Sequence, residues 1–216
     1  VKTRRIAGVG AGGSGKTTTL DLVAKKLNIP VEQVTTKQVR DKYLLNSQNE
    51  ILAVGNTVPH IGIAFQEEMI RTRKDHFDFL CDGKCVTEFC TDRTPLDSLA
   101  YTYLQNSYWD TEEHINVLKD LVRDSADNYD YIFMFPTAVF PIENNGQRGL
   151  NREYHRMVET VIRWLAPQVG YELIDVPVFD DLEARAQWIC DYVSGVFETE
   201  KIKEMVDDVD FIHEAR

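Results

Sequence analysis

Two short stretches carry residues whose types and spacing suit phosphate chemistry. The first runs from Gly10 to Thr17 (GAGGSGKT) and is a complete G-x-x-x-x-G-K-[ST] phosphate-binding loop. Its glycines let the backbone wrap closely around a polyphosphate, with successive N–H groups turned inward. The nucleotide-binding set is therefore Gly12, Gly13, Ser14, Gly15, Lys16, Thr17 and Thr18. Lys16 is positioned to reach the β- and γ-phosphates, and the Thr17 hydroxyl to ligate Mg²⁺. The second stretch, residues 85–93, is a β-branched and aromatic run ending in Asp92 and Arg93. A carboxylate at that point can accept a proton from a substrate hydroxyl, or join Thr17 as a metal ligand. The adjacent guanidinium can clamp phosphate oxygens or contact the acceptor. On residue type alone the alternative is equally good: Asp92 as a helix cap with a surface ion pair, and Pro95 opening the helix that follows.

Further candidates lie outside these loops. Arg148, Arg152 and Arg156 are spaced by four and follow a polar loop, residues 141–149. Arg148 and Arg152 are expected to close over a triphosphate and stabilise charge as it develops. The competing reading is an ordinary cationic helix face paired with Glu153 and Glu159. Phe65 could stack a base and Gln66 hydrogen-bond its edge, although such a Phe is more often core. The five histidines show no metal-ligand or triad spacing.

For these residues to meet, a strand must deliver the phosphate loop and a helix N-terminus must receive it. Residues 4–9 read as a buried strand, and Leu20, Val23, Ala24 and Leu27 fall on one face of a following helix. Short apolar runs at 31–36, 85–91, 130–136 and 171–177 complete five expected strands. Helical patterns at 16–27, 38–54, 61–80, 95–107, 111–126, 150–168 and 181–197 alternate with them. That alternation predicts an α/β fold, a parallel sheet with helices on both faces. In such sheets the loops after strand C-termini face the ligand, so Asp92 and Arg93 are expected at the same edge as the phosphate loop.

The chain has 216 residues, enough for a single domain spanning 1–216, with a lid at about 141–156 and an acidic tail at about 198–216. Its formal net charge of −11 gives no global attraction to nucleic acid. No apolar run approaches the ~18 residues of a membrane span. The expectation is a soluble cytoplasmic protein with no membrane partner. Cys81, Cys85 and Cys90 do not follow a usual zinc spacing and are read as reduced and mostly buried.

The phosphate loop, the segment from Thr91 to Tyr101 with its D-R-T-x-x-D pattern, and the arginine-bearing stretch 146–156 together resemble the P-loop nucleoside and nucleotide kinases. Tyr129 to Phe133 (YDYIF), residues 171–177, and Asp181 to Arg185 fit the same order. The likeness runs over about residues 4–197. It is greatest to an ATPase/kinase group that includes the nicotinamide riboside kinase domain and many phage-encoded kinases. The resemblance implies a five-stranded parallel sheet, an Arg-bearing lid, ATP and Mg²⁺ as cofactors, Asp92 as the catalytic carboxylate and Arg93 as an acceptor or phosphate contact. It also implies Gln66 as a base-reading residue. The chain departs from motor-type ATPases at Phe135 and Pro136, where no separate metal-binding acid stands. If phage-encoded, it would act in the host cytoplasm, and a homodimer is compatible with the pattern.

Three functions follow. The leading one is transfer of the γ-phosphate of ATP to a nucleoside or nucleotide. The second is phosphorylation of a hydroxymethylated pyrimidine (5-hydroxymethyluracil) in DNA, or of a DNA end, with Lys37, Arg40, Lys42, Arg71, Arg73 and Lys74 as a local basic path. The third is a nucleotide-binding switch without a small acceptor.

Overall fold

The computed structural model describes residues 3–44, 50, 53, 57–82, 87–105, 110–137, 139 and 151–196. Four strands, β1 (Arg5–Val9), β2 (Phe89–Asp92), β3 (Tyr131–Met134) and β4 (Leu173–Asp175), pair in parallel in the order β2-β1-β3-β4. Side chains alternate across this sheet as the period of two requires. Ile6 and Phe133 join one core cluster, and Ala7, Ile132 and Met134 join the other.

Two helices supply the first cluster: α1 (Lys16–Leu27) and, far along the chain, α7 (Leu182–Val193). A short α2 (Thr36–Arg40) and a long α3 (Pro59–Cys81) follow α1 in sequence. The second cluster is built by α3 with α4 (Pro95–Gln105), α5 (Glu112–Asp124) and α6 (Arg152–Leu165). With helices on both faces, β1, β2 and β3 are mostly buried, while the edge strand β4 is only partly covered. No described helix is long and apolar enough to cross a membrane.

The sequence-based expectation of five strands is corrected to four among the described residues. Residues 31–36 do not form a strand: Val31 makes a single parallel bridge to Cys90. Cys90 N donates to Pro30 O and Glu32 N to Cys90 O, each at 2.9 Å. Pro30 has no N–H to give, and Thr35 N donates to the Gln38 side chain at 3.0 Å, starting α2 where the strand would have continued. Of the expected helix 38–54, residues 38–40 fall in α2, which begins earlier, Asp41–Tyr43 form a 3₁₀ turn, and residues 50 and 53 are helical. Cys81, Cys90 and Cys190 are free thiols, and Cys85 lies outside the described residues. Also outside them are Arg148, with most of the expected lid, and the acidic tail at 198–216.

Candidate active site

The phosphate loop leaves β1 at Val9 and enters α1 at Lys16. Gly10 sits at φ 134°, and a Cβ there would lie 2.9 Å from the Phe135 carbonyl oxygen, so both backbone and space demand glycine. Gly15 caps α1 in a left-handed conformation at φ 78°. The first turn of α1 has no side-chain cap and no acidic residue. By contrast, Thr111, Asn151 and Asp181 each accept a backbone N–H at the start of α5, α6 and α7. The leading N–H groups of α1 are thus left for an outside acceptor, at the end where the helix dipole favours an anion. Lys16 is buried in the loop, donating to Gly10 O at 3.0 Å and Ala11 O at 2.7 Å. Thr17 and Thr18 face outward.

The register of β1 and β2 sets Asp92 beside Gly8, at the same sheet edge as the loop. Thr17 Oγ1 donates to Asp92 Oδ2, joining the two strand ends. Burial pushes the Asp92 carboxyl toward protonation, but Lys16, Arg93, the Thr17 hydroxyl and Arg73 outweigh it and hold the group below the usual aspartate range. Asp92 Oδ1 is buried and accepts no hydrogen bond from the described residues. An ionised carboxylate oxygen without a hydrogen bond from the described residues, beside a threonine hydroxyl, is a donor set that a hard divalent cation takes. Thr17 and Asp92 therefore fit Mg²⁺.

Arg93 adopts φ 95°, rare for a residue with a side chain. This turn directs its guanidinium back over the phosphate loop. Nη1 donates to Gly10 O at 3.3 Å and pairs with Asp97 Oδ1 at 3.1 Å. The guanidinium also lies 5.6 Å over the ring of Tyr101. Burial works against its charge, yet Tyr101, Asp97 and Asp92 raise its pKa. Asp97 is wholly buried and organises both loops, since Oδ1 also accepts Gly10 N at 3.2 Å and Oδ2 accepts Thr94 N at 2.9 Å. The capping carboxylate of α4 is thus Asp97, which leaves Asp92 for other work. Beneath this segment the buried Arg73 donates to Ser98 Oγ and to Thr94 O. Burial lowers its pKa to about 10.

The two members of the expected base-reading pair part company. Gln66 is buried, and its Nε2 donates to Gln105 Oε1 at 3.4 Å. Gln105 Nε2 in turn donates to the Tyr154 hydroxyl at 2.7 Å, and the Tyr154 ring lies 6.5 Å from Tyr101. A polar and aromatic path thus runs from Arg93 through Tyr101, Tyr154 and Gln105 to Gln66. Phe65 lies off this path, in a separate cluster with Val39 and Met69, edge-on to Tyr43. That is the packing role usual for such a residue. Arg152 begins α6 on the surface, and Arg156 pairs with Glu153.

The basic path is largely neutralised. Lys42 pairs with Glu68, Arg71 with Glu67 and Lys74 with Asp78, while Arg73 is internal. His114 bridges α5 to α3, with Asp110 at 2.8 Å on Nδ1 and Glu67 at 3.2 Å on Nε2. Sequence reasoning gave no individual role to Asp97, Gln105, Tyr154 or Arg185, and placed Arg73 on an exposed basic path although it is buried. Asp97 had a signal, being three residues after Thr94 at capping-box spacing. Arg73 and Arg185 had a subtler one: each occupies the apolar stripe of its helix, Arg73 among Met69, Ile70, Phe77 and Leu80, and Arg185 among Ala186, Ile189 and Val193.

A family model described as an AAA domain matches residues 5–185. No curated protein sequence matches the chain. Among solved structures, a deoxyadenosine kinase from M. mycoides with dCMP and dCDP bound is 14% identical with a TM-score of 0.62, covering 88% of this chain and 98% of that one. The NadR protein in complex with NR is 15% identical with a TM-score of 0.63, covering 89% of this chain and 52% of the NadR chain. A thymidylate kinase from Ehrlichia chaffeensis is 18% identical with a TM-score of 0.55, covering 89% and 100%. At these identities the likeness is one of fold, that of the P-loop kinases.

Proposed function

This chain belongs to the AAA domain family, and from that premise we propose that it is an ATP-dependent kinase moving the γ-phosphate of ATP to a nucleoside or nucleotide. One observation carries the reading: the phosphate loop and the Asp92–Arg93 pair meet at neighbouring strand ends, bridged by Thr17 and Asp92. A phosphate-binding loop alone would serve any nucleotide-binding protein. An open, ionised carboxylate beside it is what transfer to a hydroxyl requires.

In this reading the N–H groups of residues 12–18 and Lys16 hold the phosphates, and Thr17 with Asp92 would hold Mg²⁺, which would supply charge neutralisation at the transferring group. Asp92 accepts the acceptor hydroxyl's proton as that oxygen bonds to the γ-phosphorus and the bond to the ADP oxygen breaks. Arg93 orients the acceptor and stabilises the equatorial oxygens, and Gln66 meets the acceptor's base edge. Arg148 and Arg152 remain candidates for closing charge over the triphosphate. The neutralised basic surface disfavours a DNA acceptor, because paired lysines and arginines release few counterions.

The test is transfer from γ-labelled ATP with Mg²⁺ into two acceptor pools. One holds free nucleosides and nucleotides, the other DNA with ordinary and hydroxymethylated pyrimidines. Label in a small molecule is the expected result. Label in the polymer alone would make this a DNA-modifying kinase, and label in neither, with ATP bound, a switch.

A further inference from the structure

Arg185 lies on α7, remote in sequence from the phosphate loop, and is completely buried. Its Nη1 donates to the Ser14 carbonyl at 2.8 Å. The guanidinium also sits 5.7 Å over the ring of Phe135, whose carbonyl oxygen and ring crowd Gly10 and Gly8. Burial lowers its pKa to about 10, still far enough above neutrality to keep the charge.

The bonded carbonyl belongs to the peptide unit joining Ser14 to Gly15. In a planar trans peptide the C=O and N–H vectors point in opposite directions. Drawing the Ser14 oxygen toward the core therefore turns the Gly15 N–H outward. A cation on the carbonyl also polarises the amide and strengthens its N–H as a donor. Gly15, at φ 78°, leaves this plane free to rotate, so something outside the loop has to fix it.

We propose that Arg185 is a positioning residue for nucleotide binding, which sets the Ser14–Gly15 peptide so that its N–H faces the polyphosphate. The proposal rests on the reading of Gly10–Thr17 as a nucleotide site. It requires that loss of Arg185 weaken binding of phosphate chains as such, independently of the base.

The probes are ADP and inorganic pyrophosphate, titrated calorimetrically with Mg²⁺ into the wild-type chain, Arg185→Met and a packing control, Ile189→Ala, in the same core cluster. Arg185→Met is expected to raise both dissociation constants about tenfold, as for a misaligned charge-assisted bond. Ile189→Ala should lower the melting temperature and leave them unchanged. Equal weakening by Ile189→Ala, or unchanged affinity in Arg185→Met, overturns the proposal while leaving the nucleotide reading intact. Failure of the wild-type chain to bind either probe overturns both. If Arg185→Met does not fold, Arg185→Lys, with one ammonium in place of the fork, should weaken both ligands about threefold. Unaltered affinity in that variant overturns the proposal as well.

Discussion

The loops after β1 and β2 stand side by side at one sheet edge and are built in opposite ways. Gly10–Thr17 works through its main chain: glycines open the backbone, and α1 leaves its first N–H groups uncapped. Asp92–Asp97 works through side chains: Asp92 offers a carboxylate oxygen, Arg93 folds back over its neighbour, and Asp97 ties the turn. Each is braced from below by a buried arginine, Arg185 under the first and Arg73 under the second. A main-chain site needs particular residues at consecutive positions, whereas a side-chain site needs partners that only the tertiary fold brings together. If the division holds, the first loop governs nucleotide affinity and the second governs transfer.

Lys16→Ala separates the two most sharply. It should reduce phosphate transfer by about 10²–10³-fold, with weakened ATP binding and little change in melting temperature. Normal turnover would remove the loop from the site. Asp92→Asn should lose about 10²-fold in transfer while ADP affinity, read by calorimetry, stays near wild type. If that variant lost ADP binding too, the division of labour would collapse. Asp97→Asn touches both loops, since the carboxylate holds Gly10 N and Arg93 together. It should destabilise the fold by about 3 kcal/mol in denaturant titrations and alter KM for both ATP and acceptor; an effect on one alone would mean that the loops are not coupled through it.

The smallest effect concerns a contact away from both loops. Burial opposes charge on His114, but Asp110 and Glu67 prevail and raise its pKa above 6.5. A raised histidine contributes stability that is complete below its unfolded value, about 6.5, and is lost as pH rises through the folded value. His114→Gln should therefore lie furthest below wild type in melting temperature under mildly acidic conditions, and the gap should close toward alkaline pH. A gap that widened instead would mean that His114 is held neutral.

What could be read in the sequence follows the same divide. Gly10–Thr17 and the helix behind it were legible because the demands are local: φ, space and an amphipathic period. Strands β1, β3 and β4 were legible as apolar runs, though trimmed at their ends. The expected strand at 31–36 failed because Pro30 withholds a donor before Val31 and the Thr35–Gln38 capping box, also a local signal, starts a helix soon after it. Asp92 and Arg93 could be singled out by residue type, yet choosing between cap and chemistry needed Asp97 seated on Thr94 N. Phe65 and Gln66 are adjacent, and nothing in their types says that one enters a separate core while the other reaches Gln105. The inward placement of arginines 73 and 185 was hidden because a buried guanidinium is intelligible only once its carbonyl partner is known.

The φ of 95° at Arg93 sets backbone strain against charge pairing at one position. A side chain held there destabilises the fold by about 1–3 kcal/mol, which glycine would relieve. Glycine would also leave the buried Asp97 carboxylate without its guanidinium, at about 3–5 kcal/mol. A library of single replacements at position 93, sorted by heat resistance, should therefore keep arginine ahead of glycine.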